Sequence, residues 1–351
     1  MATLPSGVFA ETYAVDRALI RTGKQWRALS IFLAFLLVGP FLFGSHFVGI
    51  ANGMLITAVA AMGLQITLGY AGQINLGQAA LMGMGAFATA FVAERGVPFL
   101  LAILTGGLAA AAFGVVFGLS AVRVKGFYLA LTTIAAQFVF NFVIISLPTS
   151  WFGGSGGLRI PPIQVGSYRL IDETALYYFN FAVALVMFHG AIGIVRSRFG
   201  RAFIAVRDDD VVASMIGIDV AVAKSAAFLV GAFYAGIAGA LWAYYIRYIS
   251  VDQFTLFNSI WLIAIIIVGG SGSIVGALIG VVVIRGMQEV ITFLGPQVMA
   301  VFPQLGGGIV FAGMNIFLGI VIAIFIIKEP KGLMYRWEVL KQRWRTWPFP
   351  Y

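Results

Sequence analysis

A polar, glycine-rich segment at residues 69–78 interrupts a strongly apolar part of the chain. Its amide side chains offer uncharged hydrogen-bond donors and acceptors, and they alternate with glycines: Gly69, Gly72, Gln73, Asn75, Gly77 and Gln78. If the flanking stretches cross a membrane, irregular backbone is tolerated there only inside protein or beside a water-filled cavity. Two interpretations stay open, a tight turn held by the amides and a polar lining of a passage through the protein.

A similar pattern occurs two hundred residues later. Gly69-x-x-Gly72-x-Ile74 is repeated as Gly269-x-x-Gly272-x-Ile274, and Gly270 adds a further glycine to the second copy. Transporters built from two related halves carry helix breaks at matching positions. In a chain with 43 glycines such a match also arises by chance, so duplication and coincidence both remain as explanations.

The most polar internal stretch, residues 196–224, predicts a short amphipathic helix over about 208–216. Asp208, Asp209 and Asp210 suit a helix start, and Gly217 is placed to end the helix. An apolar stripe lies between them at helical spacing: Val211, Val212, Met215 and Ile216. Such a helix lies on lipid or docks into a groove on a partner. Three consecutive acids disfavour anionic lipid, so we favour the partner.

The residues required for several kinds of catalysis and metal binding are absent from this sequence. There is no cysteine, and the two histidines, His46 and His189, cannot alone form a metal cluster. No Walker A motif or His-Glu-x-x-His pair occurs, and no Gly-x-Ser-x-Gly elbow lies in a soluble βαβ context. Arg285 and Glu289 are spaced to pair on one helix face at a membrane boundary. No series of acids or histidines inside the apolar stretches indicates proton coupling. If ATP drives this protein, another chain binds it.

The elements that carry these residues are predicted to be transmembrane helices. The chain has 351 residues, 61% hydrophobic and 10% charged, with a mean hydropathy of +1.00, which excludes an ordinary soluble domain. We predict an all-α, polytopic membrane protein of eight to ten helices with glycine-rich breaks. The predicted spans are 29–47, 50–68, 79–93, 98–120, 127–147, 175–195, 225–246, 259–284 and 305–327, with 286–303 as a weaker candidate that is re-entrant or interfacial.

The positions of the basic residues orient these spans. Seventeen of the 22 Lys and Arg residues lie in four segments: before the first span, at 123–125, at 196–224 and at 328–345. Positive charge marks cytoplasmic segments, which predicts that both termini are cytoplasmic and that the number of crossings is even.

Three regions follow from this arrangement. Residues 1–28 form a cytoplasmic N-terminal segment, residues 29–327 the transmembrane domain with its cytoplasmic loop at 196–224, and residues 328–351 a basic tail. The glycine-rich loop 148–174 is predicted to be compact and external. The tail carries Trp337, Trp344 and Trp347 among basic residues, which favours the lipid surface over contact with an ATPase.

Three blocks and a short closing motif resemble the permeases of branched-chain amino-acid ABC transporters, of the LivM/LivH type. The blocks are GYAGQINLGQAALMGMGAFATA from Gly69, the stretch from Gly200 to Tyr245 that begins GRAFIAVRDDD, and VGGSGSIVGALIG from Val268. The sequence EPKGL at 329–333 is similar to the LivM type. The blocks occur in order across residues 50–335.

The resemblance implies an ABC importer permease that works with a second, LivH-like permease, two ABC ATPase subunits and an external solute-binding protein. ATP and Mg²⁺ would be bound by the ATPases, with no cofactor on this chain. The helix at 208–216 would be the coupling helix that docks on an ATPase. The residues that match the family's block there are Gly200, Arg201, Arg207, Asp208, Ala213 and Gly217. Asp209 and Asp210 make the helix start more acidic than is usual in the family.

The resemblance further implies a bacterial inner-membrane protein that imports leucine-type amino acids and catalyses no covalent step. Relatives of this type also import urea, short amides or aromatic acids. A stand-alone secondary transporter and a membrane enzyme are the competing interpretations. The absence of an acidic series disfavours the first, and a helix start explains the acidic cluster that the second would need. The excess of basic over acidic residues is explained by cytoplasmic loops that lie near membrane lipid, and it does not indicate nucleic-acid binding.

Overall fold

The computed structural model of the protein describes residues 23–124, 126–165, 168–301, 307–329 and 331–346. Most of the predicted N-terminal segment, residues 1–22, lies outside the described residues. So do residues 302 and 303 of the weaker predicted span and residues 347–351 of the tail, which include Trp347.

Within the described residues the fold is almost entirely helical. The helices are α1 (Gly23–Leu64, continued by a π-helical turn at Gln65–Tyr70), α2 (Gln78–Ala93), α3 (Phe99–Arg123), α4 (Phe127–Ser146), α5 (Thr149–Phe152), α6 (Glu173–Arg196), α7 (Arg198–Asp208), α8 (Asp210–Met215), α9 (Val220–Ile246), α10 (Leu256–Gly269), α11 (Ile274–Val301), α12 (Gly307–Lys328) and α13 (Gly332–Thr346). Short 3₁₀ turns lie at Gly154–Gly156 and Val251–Gln253.

Seven helical spans among the described residues are long and apolar enough to cross a membrane. One of them, Trp26–Tyr70, has 45 residues and measures about 67 Å along its path, which is enough to cross a hydrocarbon layer of about 30 Å twice. The shorter apolar helix α2 adds 16 residues. The all-α, polytopic prediction is therefore confirmed, and the helices are compatible with the predicted eight to ten crossings.

The first long helix bends at Gly44, whose backbone is not helical (φ 73°, ψ 179°). On one side of the bend, the carbonyl of Leu36 accepts a hydrogen bond from the Tyr177 hydroxyl at 2.8 Å. On the other side, Asn52 Oδ1 accepts from Asn180 Nδ2 at 2.8 Å. Both halves of α1 therefore contact the first turns of α6, and a chain without a bend would be too long between Leu36 and Asn52 to do so.

The predicted span 259–284 is wrong, because the chain breaks inside it. Helix α10 ends at Gly269, and α11 begins at Ile274 and continues to Val301. Gly269 and Gly280 lie so close to the facing helix that a methyl group on either would overlap its backbone, which lets the two helices pack as an antiparallel hairpin. The weaker candidate 286–303 is consequently no separate piece, since α11 runs through Pro296.

Helix α9 is the centre of the bundle and packs against α1, α2 and α3. Small residues permit this close contact. Where α2 crosses α9, Gly85 faces Gly236, and a methyl group on Gly85 would overlap the Gly236 backbone. The core therefore excludes branched side chains at these crossings, and it aligns the ends of α1 and α2 beside α7 and α8.

The predicted compact loop at 148–174 contains α5 and three short strands at the end of the bundle remote from α7 and α8. Strand β1 (Leu158–Arg159) pairs antiparallel with β4 (Tyr248–Ile249), with Leu158 opposite Ile249. Strands β2 (Ile163–Val165) and β3 (Tyr168–Leu170) form a hairpin, with Ile163 opposite Leu170. We call this the strand end of the bundle, and the end that carries α7 and α8 the loop end.

Candidate functional site

Asn75 and Gln78 are buried and hydrogen-bonded inside the turn that joins α1 to α2. Asn75 Nδ2 donates to Gln78 Oε1 at 2.9 Å, and Asn75 Oδ1 accepts from the N–H of Gly77 at 2.9 Å. Gln78 Nε2 donates to the carbonyl of Ala60 at 3.2 Å. Both amides thus hold the turn together, which is the first of the two interpretations of this segment.

Gln73 differs from these neighbours. Its side chain is 3% exposed, yet neither Oε1 nor Nε2 has a hydrogen-bond partner among the described residues. Gln73 borders a cavity of about 360 Å³ at the loop end, which is also lined by Gly72, Arg207, Asp208, Asp209, Asp210 and Lys224. The cavity joins the turn after α1 to the connection between α7 and α8, with charged groups on one wall.

The two glycine-rich breaks that share a sequence pattern lie against each other in space. Gln65 Nε2, in the π-helical turn, donates to the carbonyl of Gly270 at 3.2 Å. A methyl group on Gly69 would lie 2.9 Å from the backbone nitrogen of Gly272. The breaks after α1 and α10 therefore form one continuous region of glycine backbone.

The side chain of Arg207 enters this region from the end of α7. Arg207 Nη1 donates to the carbonyl of Gly69 at 2.8 Å, and the same nitrogen lies 3.3 Å from the position of a methyl group on Gly272. A methyl group on Gly72 would lie 2.8 Å from Arg207 Cγ. Asp208 Oδ1 accepts from Nε at 3.1 Å and from Nη2 at 2.9 Å. Arg207 thus links the 196–224 loop to both breaks.

The loop itself is two short helices, and its boundary differs from the prediction. Asp208 ends α7 instead of opening the second helix, and Asp209 is the cap of α8, accepting from the N–H groups of Val211 at 2.9 Å and Val212 at 3.1 Å. One side-chain oxygen satisfies two unpaired N–H groups of the first turn, so the helix starts at Asp210. Asp210 in turn pairs with Lys224 at 3.2 Å.

Glycines shape both ends of this loop. A methyl group on Gly200 would overlap the carbonyl of Val195, so α7 can follow α6 this closely only with glycine there. Gly217 has a φ of +86°, the left-handed conformation in which glycine ends a helix. Arg201 is exposed, with Nη1 donating to the carbonyl of Arg196 at 3.4 Å.

Helix α8 presents an apolar face to the outside of the described chain. Ala213 is buried against the loop, whereas Met215 is 80% exposed. The other exposed members of the stripe are Val211, Val212 and Ile216. The predicted stripe is therefore present and directed away from the chain's own core.

The start of the tail packs on the second break. The carbonyl of Lys331 lies 3.2 Å from the position of a methyl group on Gly270, and Gly332 (φ +77°) sits against the Gly270 backbone. Arg336 donates a hydrogen bond to Glu329, and this bond lowers the pKa of the Glu329 carboxyl. The tail helix α13 is thereby anchored beside Gly270, while Trp337 is exposed.

Sequence reasoning missed a polar cleft around Arg285. Instead of bonding to Glu289, Arg285 donates from Nη2 and Nε to Thr57 Oγ1 at 2.8 and 3.1 Å, and from Nη1 to Gln288 Oε1 at 3.4 Å. The presence of a cation in an apolar helix was the sequence signal that could have indicated a functional site here. The partner of Arg285, Thr57, is 228 residues away along the chain, so no local spacing indicates the contact.

In the part of the chain that the structure describes, no group of three or more His, Asp or Glu side chains lies close enough to hold a metal ion.

Comparison with known proteins identifies the relatives of this chain. The model of the family described as "Branched-chain amino acid transport system / permease component" matches residues 46–327. The chain is similar to the "High-affinity branched-chain amino acid transport system permease protein LivM" of Salmonella typhimurium and to the protein of that name in Escherichia coli. Each is 25% identical over 338 residues, covering 89% of this chain and 76% of the relative. No solved structure matches significantly.

Proposed function

Since the chain belongs to the family of permease components of branched-chain amino acid transport systems, we propose that it forms part of the membrane pathway of an ATP-driven importer. A second, LivH-like permease completes the pathway, and an external solute-binding protein delivers the substrate. Two ABC ATPase subunits bind ATP and Mg²⁺. The chain itself catalyses no covalent step.

The observation that carries this proposal is the position of Arg207. Helix α8 offers an exposed apolar stripe suited to a groove on another protein. Directly before it, Arg207 reaches both glycine breaks through the carbonyl of Gly69 and the space beside Gly272. Movement of a docked ATPase is thereby passed to the ends of α1 and α10. Nucleotide then biases a two-state change between outward and inward access.

The proposed substrate class is the branched-chain, leucine-type amino acids. The two LivM relatives carry that substrate class in their names, and the membrane cleft beside Arg285 combines charged and apolar residues. Urea, short amides and aromatic acids are the alternative substrates of the same machinery. A secondary transporter is the alternative mechanism.

The proposed location is the inner membrane of a bacterium, with both termini in the cytoplasm. Basic residues are concentrated in four segments, among them residues 196–224, and positively charged segments stay on the cytoplasmic side. The loop end is accordingly the cytoplasmic end, where ATPases are found, and the strand end faces the binding protein.

The test is purification of this chain from native membranes in mild detergent, followed by mass spectrometry of the proteins that accompany it. We expect a second hydrophobic permease and two ATPases with Walker motifs. ATP-dependent leucine uptake by the reconstituted complex would then follow. Recovery of this chain alone, from a preparation in which another membrane complex stays intact, would contradict the proposal. ATP-independent uptake by the chain alone would favour the secondary transporter.

A further inference from the structure

Arg285 is a cation held inside the bundle with uncharged protein partners. It lies eleven residues after the start of α11 at Ile274, about 16 Å along that helix. A guanidinium has five N–H donors, and the bonds to Thr57 and Gln288 use three of them. Two donors of Arg285 therefore remain. Since a charge within a membrane helix is costly unless it is paired, an anion bound by these two donors would stabilise the guanidinium.

Two cavities border Arg285, and they differ in character. One, of about 270 Å³, is mainly apolar, and its lining includes Ile56, Trp261, Leu262 and Ile265. The amide side chains of Asn258 and Gln288 also line it. The other, of about 510 Å³, is lined by the carboxylates Glu173 and Glu289. Trp242 and Arg285 line both cavities, so they stand where the apolar space meets the acidic one.

The spacing of Arg285 and Glu289 suits a zwitterion. Residues four apart on a helix have their Cβ atoms about 5–6 Å from each other on one face. A guanidinium binds a carboxylate through two parallel hydrogen bonds, and a carboxylate accepts from an ammonium group. An α-amino acid carries both of its charged groups on one carbon, so a single molecule can contact both residues while its side chain extends elsewhere.

We propose that Arg285 binds the α-carboxylate and Glu289 the α-ammonium group of an aliphatic amino acid whose side chain occupies the 270 Å³ cavity. The inference rests on the proposed import function and names the site at which this permease contacts its substrate. A carboxylic acid without an ammonium group would use Arg285 alone, and urea would use neither charge. The cleft therefore selects among the substrates that the family relationship leaves open.

The absence of cysteine from the chain gives a direct assay of occupancy in native membranes. Asn258, exposed at the rim of the 270 Å³ cavity, is replaced by cysteine, and its rate of reaction with a maleimide is measured on the whole complex. Asp252→Cys, exposed on the preceding turn, is the control position. The probes are leucine, 4-methylpentanoate, which lacks the ammonium group, 3-methylbutylamine, which lacks the carboxylate, and urea.

We expect leucine to slow labelling at Asn258→Cys and not at Asp252→Cys. Half-protection should require less leucine than 4-methylpentanoate or 3-methylbutylamine, and urea should have no effect. Arg285→Gln should raise the leucine concentration needed about tenfold or more, the size expected for losing a charged hydrogen bond, whereas Arg285→Lys should keep part of the protection. Arg159→Gln, an exposed arginine at the strand end, should change nothing.

Glu289→Gln is the second variant, because it leaves the contact between Arg285 and Thr57 in place even if loss of Arg285 impairs folding. It should bring the leucine concentration for half-protection up to that of 4-methylpentanoate. Equal labelling with and without leucine, or unchanged protection in both Arg285→Gln and Glu289→Gln, would overturn the proposal. Equal protection by leucine and 4-methylpentanoate in the unmodified cleft would show a site for a simple anion.

This assay needs no ATP, so it separates the cleft from the importer. Protection by leucine in a chain that purifies without ATPases would refute the proposed function and leave the cleft standing. ATP-driven leucine uptake without protection at Asn258→Cys would refute the proposed binding cleft and leave the importer function standing.

Discussion

At the scale of single residues, Arg207 depends on glycines that leave room for it. A side chain on Gly72 would occupy the space of Arg207 Cγ, and one on Gly272 would crowd its guanidinium. The carbonyl of Gly69 then accepts a charged hydrogen bond at 2.8 Å. Arg207 thereby holds the 196–224 loop to a backbone carbonyl at the break after α1.

Arg207→Gln should uncouple transport without dissociating the complex. Loss of a charged hydrogen bond weakens a contact by about 1.5–3 kcal/mol, so we expect leucine uptake to fall about tenfold or more while ATP hydrolysis continues. Uptake and hydrolysis are measured on the same reconstituted complex. Arg198→Gln, an exposed arginine stacked near Phe199 at the start of α7, is the matched control and should retain both activities. Normal uptake in Arg207→Gln would contradict the linking role.

Gly200→Ala should destabilise the loop end, since its methyl group would overlap the Val195 carbonyl. Overpacking of this kind costs about 1–3 kcal/mol, and we expect a lower midpoint of thermal unfolding in detergent. Gly193→Ala is the control, because no atom lies within 4 Å of its added methyl group and alanine favours a helix. An equal midpoint for the two variants would show that α7 can move away from Val195 freely.

At the scale of elements, α8 is too short to be stable by itself. Isolated helices shorter than about 12–15 residues are marginal in water, and α8 has six. Its position depends on the Asp209 cap, the ion pair between Asp210 and Lys224, and the buried Ala213. These contacts leave the opposite face, with Met215, available to a partner.

Met215→Glu should reduce the amount of ATPase that purifies with this chain and leave the chain's own stability unchanged. Met215 is 80% exposed, so its replacement disturbs little packing inside the chain, while a charge on the apolar stripe disfavours docking. Ile171→Glu, an exposed apolar residue at the strand end, is the control and should retain the ATPases. Undiminished recovery of ATPases with Met215→Glu would exclude this face as their docking surface.

At the scale of the whole molecule, the breaks and the connection between α7 and α8 lie at one end, and the short strands lie at the other. Helix α6 joins the two ends, from Glu173 beside the strands to Arg196 beside α7. This polarity agrees with the distribution of basic residues along the sequence. The proposed orientation can therefore be tested by asking which end of the bundle is accessible from outside the cell.

Single cysteines at the two ends should differ in accessibility. In intact cells a membrane-impermeant maleimide should label Ile171→Cys, at the strand end, and should reach Phe199→Cys, at the loop end, only after lysis. Both side chains are exposed in the folded chain, so burial does not explain a difference. The reverse pattern would place the loop end outside the cell and refute docking of ATPases there.

Much of this architecture could be predicted from local sequence. Apolar stretches of bilayer length determine membrane helices, because an unpaired backbone group in lipid is so costly that helix formation is nearly forced. The breaks at 69–77 and 269–273, and the short helix with its stop at Gly217, were likewise visible as glycine, amide and aspartate patterns. The predicted span 259–284 was wrong because it was drawn through the second of these breaks, where the apolar residues on both sides keep the average hydrophobicity high.

Sequence alone determined the membrane class, the helical fold, the family and the segments in which function is expected. Only the tertiary structure decided that the two breaks touch, that Arg207 reaches Gly69, and that Arg285 bonds to Thr57 across 228 positions. The physical reason is that helix formation and capping depend on neighbours along the chain, whereas these contacts depend on how closely helices pack. That packing is set by glycines facing one another on different helices, and no local pattern records which glycines will meet.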